Sequence, residues 1–139
     1  MTNYSLNHRM LSILLTLALV QMSGCATMQA YEGEELPPET VASIRPAFGS
    51  LFHTPYIVAV DGEHLSMVDS KCSVIPGPHT VRVGVQSGYG HYTILTTGEL
   101  DLEAEAGHTY VVCGKIVRGE GVFWIIDDNT GRLVAGNMP

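Results

Sequence analysis

Basic residues are what this chain has least of. It carries 7 lysines and arginines against 14 acids, for a formal charge of −7, and only Lys71 and Lys115 are lysines. Nucleic acid is held by clustered Lys and Arg, so no nucleic-acid partner is expected. No polybasic segment is present for an anionic membrane surface either. Long apolar runs are also missing. The first one, Met10 to Val20, is 11 residues, short of the roughly 17–25 that span a bilayer. The signatures of common catalytic sites are absent as well. There is no H-E-x-x-H for a zinc protease and no G-x-S-x-G for a strained serine nucleophile. No glycine-rich loop opens a helix to cradle phosphate. The cysteines form no C-x-x-C and no paired Cys/His spacing. These absences predict no catalytic residue, no metal site and no cofactor.

What is present begins with a short basic head containing His8 and Arg9. The apolar run follows, then Gln21 and Met22-Ser23-Gly24-Cys25. That is the order of a secretory signal, with small residues where a peptidase must reach the scissile bond. Met22-Ser23-Gly24-Cys25 resembles the lipobox of bacterial lipoproteins, with Met22 where Leu is usual. The resemblance implies cleavage between Gly24 and Cys25, and three acyl chains on Cys25. Each buried methylene contributes about 0.8 kcal/mol, so two or more chains hold firmly. Ala26 in place of Asp after the cysteine implies, by the enterobacterial sorting pattern, release to the outer membrane facing the periplasm. The alternative is an ordinary secretory signal cut after a small residue such as Ala26. The run is too short for a comfortable retained anchor.

Cleavage would leave 115 residues, one domain's worth, with a formal charge of −8. Residues 25–38 then read as the acylated cysteine and a flexible tether. Glu32-Gly33-Glu34-Glu35 and Pro37-Pro38 bury too little to fold alone. Residues 39–139 form the domain. With Cys25 acylated, Cys72 and Cys113 remain in an oxidising compartment. A disulfide between them would stabilise by about 3–4 kcal/mol on the chain-entropy model. Two buried free thiols are the other outcome.

From Tyr56 the pattern is one of strands and tight turns. Tyr56 to Val60 is β-branched and apolar, and Asp61-Gly62 is a hairpin signal. Pro76-Gly77-Pro78 is a hard stop. Val81, Val83 and Val85 alternate with polar residues, as a half-buried strand does. Ser87-Gly88-Tyr89-Gly90 is expected to break that strand, and Thr97-Gly98 to turn the next. Leu100, Leu102 and Ala104 alternate with Glu99, Asp101, Glu103 and Glu105. Ala106-Gly107 turns the chain into a long strand, His108 to Val117. Gly119-Glu120-Gly121 separates it from Val122 to Ile126, and Asp128-Asn129-Thr130-Gly131 is a hairpin loop. The expectation is an all-β fold, a small antiparallel β-sandwich of about seven strands.

Val58-Ala59-Val60-Asp61-Gly62, Pro76-Gly77-Pro78-His79-Thr80-Val81-Arg82-Val83 and Gly88-Tyr89 together resemble the PEGA-type β-sandwich repeat of bacterial envelope proteins. Ala104-Glu105-Ala106-Gly107-His108-Thr109-Tyr110 is similar to a turn of uncharacterised bacterial lipoproteins with such a domain. The likeness spans roughly residues 56–117. It implies a non-catalytic surface or interaction module.

Three groups of residues are candidates for contact. His79 and His108 each follow a glycine-containing turn. Each is either a strand-start residue bonded to nearby backbone or half of an imidazole pair able to bind metal or sense pH. The acids Glu99 to Glu105 suit a solvated face that resists edge-to-edge pairing. Tyr89, His91 and Tyr92, on a glycine-hinged loop, suit a protein contact. Trp124 reads as core. The expected function is a lipid-anchored, non-enzymatic structural or interaction module of the envelope, with an unidentified protein partner. The alternative is a small-ligand or metal-binding lipoprotein using His79, His91 and His108. An envelope hydrolase comes third.

Overall fold

The computed structural model describes residues 28–49, 53–65, 71–89 and 92–139, and only the backbone at Tyr89 and 92–94. The signal, Gly24, Cys25 and His91 lie outside the described residues. Among those described there are ten strands and no helix. In chain order they are β1 (Met28–Gln29), β2 (Ala42–Pro46), β3 (Thr54–Val60), β4 (Glu63–His64) and β5 (Cys72–Val74). Then come β6 (Gly77–Tyr89), β7 (Tyr92–Ala104), β8 (Thr109–Val117), β9 (Glu120–Asp127) and β10 (Arg132–Gly136). They form a six-stranded sheet, β1-β5-β2-β8-β9-β10, and a four-stranded sheet, β4-β3-β6-β7.

One apolar core joins the two sheets. Ala42, Ile44, Cys72, Val74, Tyr110, Val112 and Ile125 of the larger sheet meet Ile57, Val60, Val81, Val83, Leu102 and Ala104 of the smaller. The valine alternation in β6 works as its period requires. Val81, Val83 and Val85 are fully buried while Thr80, Arg82 and Gln86 are exposed.

Four expectations are corrected. The strands number more than seven, and the larger sheet is mixed rather than antiparallel. β1 runs parallel to β5, and β2 parallel to β8. Both parallel pairs join segments far apart in sequence, which a period-2 pattern does not encode. Secondly, β6 and β7 form one long hairpin in unbroken register from Gly77↔Ala104 to Tyr89↔Tyr92. Ser87, Gly88 and Tyr89 stay within it, and Thr97-Gly98 does not turn it. Gly98 marks close approach instead of a turn, since a Cβ on it would lie 2.7 Å from Cδ2 of Phe123. Gly114 receives the other side of the same ring.

Thirdly, the stretch 25–38, expected to be flexible, is not so at residues 28–30. Met28 and Gln29 pair with Cys72 and Ser73, Met28 N–H donates to Lys71 O, and Ala30 packs on the core. Beyond them, Gln29 Nε2 donates to the carbonyls of Tyr31 and Gly33. Composition alone misses this because a two-residue strand needs only a free sheet edge. Fourthly, the disulfide left open beside two free thiols is not the arrangement present, and Cys72 and Cys113 are free. Cys72 lies beside Ile44, and Ile44 beside Tyr110. Cys113 is therefore two strands and three residues away, about 14 Å in sheet spacings, against the 4.4–6.8 Å a bridge takes. It also points to the opposite face.

Two hairpin turns work through left-handed backbone. Asp61 and Gly62 have φ of 51° and 82°, the pair of positive values a type I′ turn needs. Arg118 and Gly119, at 53° and 88°, do the same between β8 and β9, one residue earlier than the glycines suggest.

Candidate functional site

The ends of β3, β7 and β9 and the starts of β6, β8 and β10 gather at one end of the fold. Two hollows of about 410 and 480 Å³ open there, both bordered by Glu103 and Val134. Each holds one of the two histidines with an aspartate.

His79 enters the first hollow from β6 and is 8% exposed. Its Nδ1 lies 2.6 Å from Asp61 Oδ2 and its Nε2 2.6 Å from Ile75 O. Carboxylate and carbonyl only accept, so both contacts are hydrogen bonds when each ring nitrogen carries a proton. Asp61 Oδ1 also accepts from the Thr80 amide at 2.8 Å. Burial raises the Asp61 carboxyl, but the bonds from His79 and Thr80 and the imidazole's charge outweigh it. The carboxyl sits below its ordinary value.

His108 repeats the arrangement in the second hollow. Its Nδ1 is 3.0 Å from Asp127 Oδ2, and its Nε2 is 3.7 Å from Glu105 Oε2. Asp127 is 5% exposed and accepts from Thr130 Oγ1 at 2.8 Å and from the Asn129 amide at 2.9 Å. Burial raises this carboxyl too. Thr130, Asn129 and His108 more than offset that and hold it low. Tyr110 closes the floor, its hydroxyl accepting from the Glu105 amide at 2.9 Å. Burial, with the charges of Asp127, Glu105 and Glu103, pushes that hydroxyl up.

Chemically these are two braces. The Nε2 of His79 is taken by a backbone carbonyl, and that of His108 faces a carboxylate. Neither imidazole has a hydroxyl bonded to it among the described residues, so no nucleophile–base pair is assembled. No three metal-ligating side chains are placed to hold one metal ion among the described residues either. The structure thus brings His79 and His108 to one end, each with its own partner. Of the partners, Asp61 reads in the sequence as a turn residue, and Asp127-Asp128-Asn129 as a hairpin turn in preference to a calcium loop. Their signal was the acid beside each turn, 18 residues before His79 and 19 after His108.

The outer face of the larger sheet is the second candidate. In β9, Ile125 and Asp127 are buried and Phe123 sits between Gly98 and Gly114, so Val122, Trp124 and Ile126 point outward. Opposite them in β8 stand Lys115, Cys113 and Val111. All six are half-buried. The Trp124 indole nitrogen is buried with no hydrogen-bond partner. The outward face of the smaller sheet is unlike this, with Thr80, Arg82, Glu99, Asp101 and Glu103 exposed. Trp124, read as core from its neighbours in the sequence, therefore lies on the far side of the sheet from the core.

The remaining candidates are dispersed. Tyr89 and Tyr92 face each other in register at the tip of the long hairpin. Cys72 is buried in β5 and its thiol is pushed up to about 11, chiefly by burial. His64 is exposed in β4 and His53 precedes β3. No family model, curated protein or solved structure matches the chain.

Proposed function

We propose that this chain is a lipid-anchored protein of the bacterial envelope, held by acylated Cys25 in the outer membrane and facing the periplasm. Its β-sandwich domain, akin to the PEGA type, serves as a non-enzymatic protein-interaction module. The observation that carries the interaction reading is the apolar outer face of β8 and β9, centred on Trp124. A solvated antiparallel sheet face alternates apolar-in with polar-out. Val111, Cys113, Trp124 and Ile126 break that rule side by side on this face, whereas Thr80, Arg82, Glu99, Asp101 and Glu103 keep it on the smaller sheet. A polar-tipped aromatic among aliphatics is the composition of a protein contact. The occupation of both histidines by internal partners supports a role without catalysis.

Two measurements test this. Radiolabelled palmitate is expected to label the protein, and Cys25→Ala to release it from the membrane. A Cys25→Ala form that stays membrane-bound overturns the anchoring. A photocrosslinking residue at Lys115 in intact cells is expected to give a discrete protein adduct, while one at Arg82 gives none. Absence of any adduct at Lys115 overturns the interaction face.

A further inference from the structure

The larger sheet ends at β1, and β1 is where the proposed lipid anchor enters the domain. Only Ala26 and Thr27 stand between Cys25 and Met28. Even fully extended, Cys25 lies within about 10 Å of the first strand. Met28 N–H donates to Lys71 O at 2.9 Å, so the anchor leaves the fold beside Lys71. Lys71 is exposed and pairs with no carboxylate among the described residues. Continuing the β2–β5 register past Ile44↔Cys72 sets Arg45 opposite Lys71. The two cations border one hollow together with Phe48, which is 98% exposed. Arg45 also reaches Asp128, at 3.0 Å.

We infer that Phe48, Lys71 and Arg45 form a second membrane contact, which lays this edge of the domain on an anionic phospholipid surface. The inference rests on the acylation of Cys25 proposed above, and the shortness of the link is what gives it force. A tether of only a few residues holds this edge at the bilayer, so its side chains must be ones that headgroups accept. An aromatic ring fully in water is costly there and favourable in the interfacial layer. Lysine near an anionic surface adds attraction that decays within a Debye length. Glu99, Asp101, Glu103 and Glu105 line β7 and its end, in the other sheet. A domain so oriented would present Arg45 and Lys71 to the lipid.

The test uses the full chain, purified with its own acyl group and reconstituted into vesicles. Phe48→Trp adds an indole at the proposed contact. Leu133→Trp adds one on β10, the far edge of the same sheet, three strands from β2 and about 14 Å across the sheet. Both positions are exposed, so folding is not at stake. In vesicles containing phosphatidylglycerol and a brominated phospholipid, the emission added at position 48 should shift to the blue. It should be quenched at least about twofold more than that added at position 133. Adding Lys71→Glu to Phe48→Trp, or using phosphatidylcholine alone, should reduce this quenching severalfold. Equal quenching at the two positions in an acylated protein overturns the contact and leaves the lipoprotein reading standing. Quenching at position 48 that ignores both Lys71→Glu and the headgroup overturns the anionic requirement. A mass spectrum showing an unmodified Cys25 overturns the lipoprotein reading and this inference with it.

Discussion

Asp61 and His79 stand 18 residues apart and meet at 2.6 Å, joining the β3–β4 turn to the start of β6. The same imidazole holds the carbonyl of Ile75, so one side chain fixes the end of β3, the turn after β5 and the entry to the long hairpin. His108 and Asp127 look equivalent in the sequence, but the energetics differ. The His79 side chain is 6% exposed, whereas that of His108 is 25% exposed, and Asp127 keeps Thr130 and Asn129 without it.

The two histidines should therefore respond differently to removal. His79→Ala removes a buried imidazole and takes a donor from the Ile75 carbonyl and the Asp61 carboxylate, and should cost about 1–3 kcal/mol. His108→Ala removes a partly hydrated contact and should cost about 1 kcal/mol or less. Urea midpoints at neutral pH measure both. Equal losses would show that burial does not separate the two braces.

The aspartates set the acid response. Both carboxyls lie below their ordinary value in the fold. Their contribution is therefore complete above the unfolded value near 3.9 and is lost as pH falls through the folded one. Stability should hold from neutral pH to about pH 4 and then decline. Asp127→Asn should lower the midpoint at pH 7 and flatten the decline below about pH 4. Urea midpoints between pH 7 and pH 2.5 check this, and a slope unchanged by the substitution would contradict it.

Phe123 fills the space that Gly98 and Gly114 leave between the two sheets. Gly98→Ala should cost about 1–3 kcal/mol through overpacking, although Gly98 is in extended backbone that any residue adopts. Combining it with Phe123→Leu should give a loss smaller than the sum of the two single losses. Additive losses in thermal unfolding would mean that the ring and the glycine do not compete for one volume.

This pair also marks where the sequence is legible and where it is not. Val81, Val83 and Val85 declared their faces because burial follows a local period. Asp61-Gly62 declared its turn because its backbone needs positive φ. Gly98 read as a turn because a glycine needed for a neighbour's ring looks the same as one needed for a bend. The parallel partners of β1 and β2 were illegible, since nothing local records which distant strand arrives alongside. The aspartates of the braces were visible as residues, but their partners were set by topology. Trp124 was assigned to the core by its apolar neighbours, though a strand apolar on both faces has two sides to offer.

The cysteines provide the last test, because the register separates them so far. Cys72 is fully buried and its thiol is pushed up to about 11 by that burial, so it is almost all thiol at neutral pH. Cys113 is half-buried on the outer face, and burial raises its thiol as well. A thiolate-seeking reagent should therefore modify the native protein slowly at both positions, and Cys72 more slowly than Cys113. In urea both should react fully without reductant. Peptide mass spectrometry under non-reducing conditions should then find each of them alkylated. A Cys72–Cys113 crosslinked peptide would require β5 and β8 to abandon their places on either side of β2, and would overturn the sheet order itself.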